Sequence, residues 1–162
     1  MIRLTTPSDT NALIAVACSS GLFEPHQIEE LKGMLTQYFF AQAKTDEIWV
    51  TDDDQGTVGV AYAAPERMTD GTWNLYLIAI HADHQRQGRG TAILNFVECL
   101  LAERGQRLLL VETSGTKDFD YVRTFYRNNG FEEEARIRDF YAGGIDKVVF
   151  RKIIGALRPA VS

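Results

Sequence analysis

Little in this sequence lends itself to cross-linking, metal binding or insertion into a membrane. Two cysteines in 162 residues make no disulfide framework, and with three histidines they form no zinc-ligand spacing. Cys18 and Cys99 both fall inside helical apolar patterns and are read as small buried hydrophobes. Repeats, linkers and low-complexity segments are absent. Positive charge is in the minority, 17 Lys and Arg against 22 Asp and Glu, and no basic stripe stands out. That balance argues against general nucleic-acid binding. The longest early apolar run, Ala12–Cys18, is far shorter than the roughly 20 residues a spanning helix needs. Arg3 and Asp9 stand where a signal peptide would carry its apolar core. The cytoplasm is the expected compartment.

What is present suits one domain, expected over residues 1–154, with 155–162 as a loose C-terminal tail. Apolar content of 45% is enough to build a core without staples. The pattern predicts a strand at Ile2–Thr5 and a helix opened by Ser8 or Asp9. A second helix is predicted over Gln27–Phe40, with Ile28, Leu31, Leu35 and Phe39 on one side. Glu47–Thr51 and Thr57–Ala64 read as a hairpin around Asp52-Asp53-Asp54-Gln55-Gly56, whose aspartates are read as a solvated tip. Strands follow at Thr72–Ile80, Leu108–Thr113, Phe131–Asp139 and Lys147–Ile153. Helices are predicted from the loop after Ile80 to about Arg104 and over Asp118–Asn128, each stopped by a glycine. Three consecutive strands among helix-linked ones argue for a mixed sheet of α/β (α+β) class.

The most informative segment is Gln85-Arg86-Gln87-Gly88-Arg89-Gly90, between an apolar strand and a helical pattern. The first N–H groups of a helix have no intrahelical partner, and the macrodipole adds roughly +0.5 charge there. Gly88 and Gly90 let a ligand approach the main chain, so this is a place to hold a phosphate. The Walker pattern fails because no Lys precedes Thr91; the dinucleotide pattern fails because Ile93 stands at its third glycine. The spacing Gln85-x-x-Gly88-x-Gly90 does fit Q/R-x-x-G-x-G/A.

That loop resembles the acetyl-CoA pyrophosphate loop of the GNAT superfamily of N-acetyltransferases. Ile78–Thr91 is similar to the family's strand-loop-helix motif, and Phe125-Tyr126-Arg127-Asn128-Asn129-Gly130-Phe131 to its Y-x-x-x-G-F signature. The element order resembles the GNAT fold from end to end. It implies a mostly antiparallel twisted sheet of about seven strands flanked by about four helices. The resemblance also implies roles. Main-chain groups at Ile78 and Ile80, with Ala79 between them, would grip the pantetheine arm. Gln85, Arg86, Gln87, Gly88, Arg89, Gly90 and Thr91 would bind the pyrophosphate. Tyr126 stands where family members place an acid that protonates the departing thiolate. No metal is implied.

The implied reaction is attack of an amine on an acetyl thioester, and the amine must first be neutral. At pH 7 that costs roughly 4.6 kcal/mol for a lysine-like amine and about 1 kcal/mol for an α-amine. Asn74 stands where a glutamate base is common, and Phe119 where an asparagine often contacts CoA. Glu112 is one candidate base; His81, His84 and a chain of waters are others. Asn74, Asp118, Tyr121, Asp139 and Tyr141 are candidates for the acceptor side, suited to a cationic amine. The leading expectation is an N-acetyltransferase moving acetyl from acetyl-CoA to a primary amine of a small molecule or peptide. A CoA-binding module without catalysis is the second, and a scaffold with no CoA affinity the third. Pairing of the last strands between two copies, giving a homodimer, is left open.

Overall fold

The computed structural model describes residues 1–41 and 46–155. Seven strands are hydrogen-bonded in the order β1-β2-β3-β4-β5-β7-β6: β1 Ile2–Leu4, β2 Ile48–Asp53, β3 Thr57–Pro65, β4 Thr72–Ile80, β5 Leu108–Ser114, β6 Glu132–Ala142 and β7 Ile145–Ile153. Four helices interrupt them: α1 Thr10–Ser19, α2 Pro25–Phe40, α3 Arg89–Glu103 and α4 Asp120–Asn128. The β4–β5 pair is parallel, while β1–β2, β2–β3, β5–β7 and β6–β7 are antiparallel. This is the mixed, mostly antiparallel sheet the element order predicts. Most boundaries lie within one or two residues of the sequence reading. The last hairpin is longer than expected at its turn, reaching Ala142 and Ile145. The expected tail falls almost wholly outside the described residues.

The chain divides into two compact units. One is Met1–Ala64 with Leu77–Val97; the other is Pro65–Tyr76 with the chain from Glu98 on. The first is organised by α1 and α2. Leu13, Val16 and Ala17 of α1 and Ile28, Leu31 and Leu35 of α2 recur at helical spacing. They pack with Trp49, Val60, Tyr62, Leu77 and Ala79. Trp49 stacks on Tyr62 with ring centroids 4.3 Å apart. Cys18 lies off this stripe and is exposed, and Cys99 lies off the Ile93, Leu94, Val97 and Leu101 face and is exposed too. The buried reading of both cysteines is therefore corrected: apolar neighbours in sequence put them in amphipathic helices, but on the wet side.

The chain start is pinned by charge. Both Arg3 terminal nitrogens bond the Asp9 carboxylate, at 2.8 and 2.9 Å, and Thr6 forms a capping box with Asp9. The Arg3 hydrogen bonds hold Asp9 well below the usual carboxylate range.

In the second unit β5 alternates between buried and half-buried residues; Leu109, Val111 and Thr113 form its buried face, and Phe150 of β7 pairs beside Val111. Arg123, almost fully buried, ties the end of β5 to α4. Its guanidinium donates to the Ser114 carbonyl at 2.7 Å, the Thr116 carbonyl at 2.9 Å and Asp120 at 3.2 Å. Lys152 does the same for the α4 stop, donating to the Asn129 carbonyl at 2.8 Å and pairing with Glu98 at 2.6 Å.

Candidate active site

The phosphate-loop candidate lies in the first unit. β4 runs out at Ile80, and a short 3-10 turn at Ala82–His84 follows, closed by the His84 N–H on the His81 carbonyl. His81 is engaged locally, its Nδ1 accepting from the Asp83 N–H at 3.2 Å. Gln85 reaches back and donates its side-chain amide to the Ile80 carbonyl at 3.1 Å. Arg86 and Gly88 both take positive φ, 60° and 77°, turning the chain sharply into α3. A β-carbon on Gly88 would project into open space, with nothing within 4 Å. Glycine there relieves the left-handed backbone and keeps the approach to the first turn of α3 clear. Ile78 and Ile80 are half-buried, alternating with the buried Leu77 and Ala79.

Arg89 does something the sequence did not suggest. Its guanidinium donates to the Asp52 carboxylate at 2.9 Å and also to Asp54, and the Asp52 hydrogen bond raises its pKa further. Asp52 is only 3% exposed, so the aspartate run is not simply a solvated tip. The correction has a physical reason. β2 is buried along its length as far as Asp52, the last residue before its register shift, and Arg89 compensates the carboxylate buried there. The β2–β3 hairpin thus anchors the first residue of α3. Gly59 serves the same end: a β-carbon there would lie 2.7 Å from Ile93 Cδ1 and 3.0 Å from Ile80 Cδ1. With glycine there, the ends of those two side chains settle directly on β3.

The other candidates lie in the second unit. Tyr126 is buried, edge-on to Phe125 and Phe131 with centroids 5.2 and 5.5 Å away, and burial pushes its phenol above the ordinary tyrosine value. Glu112 on β5 is paired with Lys147 at 2.9 Å. Lys147 also lies 3.6 Å from the centre of the Phe140 ring. Tyr141 is about half exposed, and partial burial together with the charge of Glu112 pushes it up to about 12. Tyr121 and Asp118 are exposed on or just before α4. Asp139 is spent on its own hairpin. It sits at φ 57°, its Oδ1 accepts from the Gly144 N–H at 2.7 Å, and its N–H donates to Asp146 at 3.0 Å.

Asn74 is 1% exposed and donates its amide to Glu66 Oε1 at 3.1 Å, while its own Oδ1 is buried without a partner. The Tyr76 hydroxyl donates to the same Glu66 oxygen at 3.1 Å. Partial burial first, then the Glu66 hydrogen bond and the charges of Glu66 and Glu112, push Tyr76 up to about 12. Glu66 and Tyr76 were missed from the sequence. Tyr76 is two residues from Asn74 and so shares its strand face, which was a usable signal. Glu66, eight residues away across a turn, carried none. Among the described residues no three His, Cys, Asp or Glu side chains are grouped to hold a metal ion. No described helix is long and apolar enough to cross a membrane.

Comparison with known proteins bears on the family and the fold. Residues 44–133 match the family model for the acetyltransferase (GNAT) domain. The fold is similar to that of a Desulfovibrio desulfuricans protein assigned to the GNAT family of acetyltransferases, at 31% identity and TM-score 0.90, over 95% of this chain and 98% of that one. The ribosomal-protein-S18-alanine N-acetyltransferase of Escherichia coli shares the fold at 19% identity and TM-score 0.77, over 100% and 98%. An aminoglycoside 6'-N-acetyltransferase complexed with coenzyme A shares it at 17% identity and TM-score 0.75, over 98% and 99%. No curated protein matches the sequence.

Proposed function

The chain belongs to the GNAT family of N-acetyltransferases, and on that premise we propose that it transfers acetyl from acetyl-CoA to a primary amine of a small molecule or peptide. The observation that supports this most is the loop between β4 and α3. There an open glycine at φ 77° leads into a helix start that Arg89 and Asp52 hold fixed. Such a loop offers main-chain N–H groups and the positive end of a helix to a pyrophosphate. Gln85–Thr91 would bind that group, and the main chain at Ile78–Ile80 would carry the pantetheine arm. Gln85 spends its side chain on the Ile80 carbonyl and Arg89 spends its guanidinium on aspartates, so their share in binding is main-chain.

Acetyl-CoA supplies an activated thioester. Tyr126 is the proposed acid that returns a proton to the leaving sulfur; a buried phenol with a raised pKa keeps its proton until a strong base appears beside it. Tyr141 and Tyr121 are the aromatic candidates for the acceptor side. A non-catalytic CoA-binding role is the second reading, favoured by the carboxamide at Asn74 and the phenyl ring at Phe119. Thiol release from acetyl-CoA separates the two. Release that depends on an added alanine-terminated peptide, aminoglycoside or alkylamine supports transfer. Saturable CoA binding without release on any of them favours the second reading.

A further inference from the structure

Family resemblance puts the proton acceptor at position 74, and this chain has an amide there. The carboxylate has not been lost from the neighbourhood. Glu66 follows directly on β3, and its main chain is held twice: its N–H donates to the Thr72 carbonyl at 2.8 Å and its carbonyl accepts from Thr69 Oγ1 at 2.8 Å. Its side chain is held twice as well, by Asn74 Nδ2 and Tyr76 Oη, and both bonds end on Oε1. Among the described residues nothing donates to Oε2.

Asn74 adds an independent sign of a ligand. An acceptor buried without a donor loses its hydration with no bond in return, and native proteins leave few such groups. Asn74 Oδ1 is such a group, on a side chain 1% exposed that already touches Glu66. It needs an N–H, and the adjacent carboxylate has none to give. A primary ammonium brings three N–H donors and a positive charge. Glu112, the other carboxylate whose charge reaches Tyr76, is already neutralised by Lys147 at 2.9 Å.

We propose that Glu66 is the proton acceptor of the reaction, and that its Oε2 and the Asn74 carbonyl oxygen form the seat of the acceptor's ammonium group; this rests on the acetyl-transfer reading above. The ammonium nitrogen gives one proton to Glu66 Oε2, and its lone pair then forms the N–C bond to the thioester carbon. The C–S bond breaks as the carbonyl re-forms. The sulfur leaves with the electron pair and takes a proton, and the new amide nitrogen sheds its extra proton. The products are an acetamide and free thiol, with one net proton released. Tyr76 and Asn74 are positioning residues for this step. Among the described residues the charge of Glu112 from β5 also reaches Tyr76, and Glu112 in turn pairs with Lys147 from β7 and acts on Tyr141 of the last hairpin.

Glu66→Gln tests it, since glutamine keeps an oxygen for Asn74 and Tyr76 but cannot take the proton. Thiol release with n-butylamine, an aminoglycoside or an alanine-terminated peptide is expected to fall about 100-fold in kcat, with acetyl-CoA KM within about threefold. Raising the pH until the amine is neutral should narrow the deficit. Adding Asn74→Glu should recover at least about tenfold of it. A Glu66→Gln enzyme as fast as wild type overturns the proposal. A second arm needs no turnover: n-butylammonium is titrated into nitrogen-labelled protein without CoA. It should shift the Asn74 side-chain amide signals in wild type but not in Glu66→Gln, and n-butanol should shift neither. No shift, or the same shift in both proteins, also overturns it. Failure of wild type to release thiol with any amine defeats the acetyl-transfer reading instead, and the titration then decides the ammonium seat alone.

Discussion

In the proposed site the loop at Gln85–Thr91 would offer its ligand main chain, whereas the cluster of Glu66, Asn74 and Tyr76 would offer side chains. The loop takes its shape from two positive-φ residues, and the helix start after it is held by Arg89 on Asp52 and Asp54. The cluster takes its shape from side-chain hydrogen bonds between residues eight and ten positions apart. A main-chain site tolerates most substitutions except those that refill the glycine. A side-chain site fails when one polar atom changes. The two should therefore break in different ways, the loop in affinity and the cluster in rate.

The largest effect is expected at the loop. Gly88→Val puts a β-branched side chain at φ 77°, where strain alone runs to about 1–3 kcal/mol, and fills the open approach. Acetyl-CoA binding should be lost by calorimetry, and retained affinity would remove the loop from the site. Next comes Tyr126→Phe, which should lower kcat by about 100-fold with acetyl-CoA KM nearly unchanged. A kcat within about threefold of wild type would show that Tyr126 is not the acid.

A control away from both sites uses Asp9. Arg3 depresses its folded-state pKa, so its contribution is complete above the unfolded value, about 3.9, and fades as pH falls through the lower folded value. Asp9→Asn should cost about 1–3 kcal/mol at neutral pH by denaturant titration and lose less further stability on acidification. An unchanged acid-unfolding profile would contradict the pairing. The smallest effect belongs to Asp139→Ala. Its carboxylate holds the Gly144 N–H, so about 1 kcal/mol of stability should go, with acceptor KM little altered. A large rise in acceptor KM would instead return Asp139 to the acceptor side.

The same contrast explains what was legible in the sequence. Glycines at fixed offsets after an apolar strand announce a sharp turn into a helix, and Gly88 at φ 77° makes that turn here. The helix stripes of α1 and α2 were readable for a similar reason, since burial imposes a period. Glu66 was not readable, because nothing within its own turn distinguishes it from the neighbouring Arg67 or Asp70. Its contacts appear only when the chain brings Asn74 and Tyr76 back to it. Asp52 misled in the same way: three aspartates shortly before a glycine look like a wet turn, but the first still belongs to the buried strand and is paired by Arg89, 37 residues away.

The most direct test of the central claim is thermal unfolding of the wild-type chain with increasing acetyl-CoA. At about 100 times Kd the cofactor should stabilise the fold by about 2.7 kcal/mol. At roughly 2–4 °C per kcal/mol for a chain of this size, that corresponds to a rise of about 5–11 °C that grows with ligand concentration. A melting temperature that stays fixed up to millimolar acetyl-CoA would mean that the loop does not hold the cofactor, and the acetyltransferase reading of this site would fall with it.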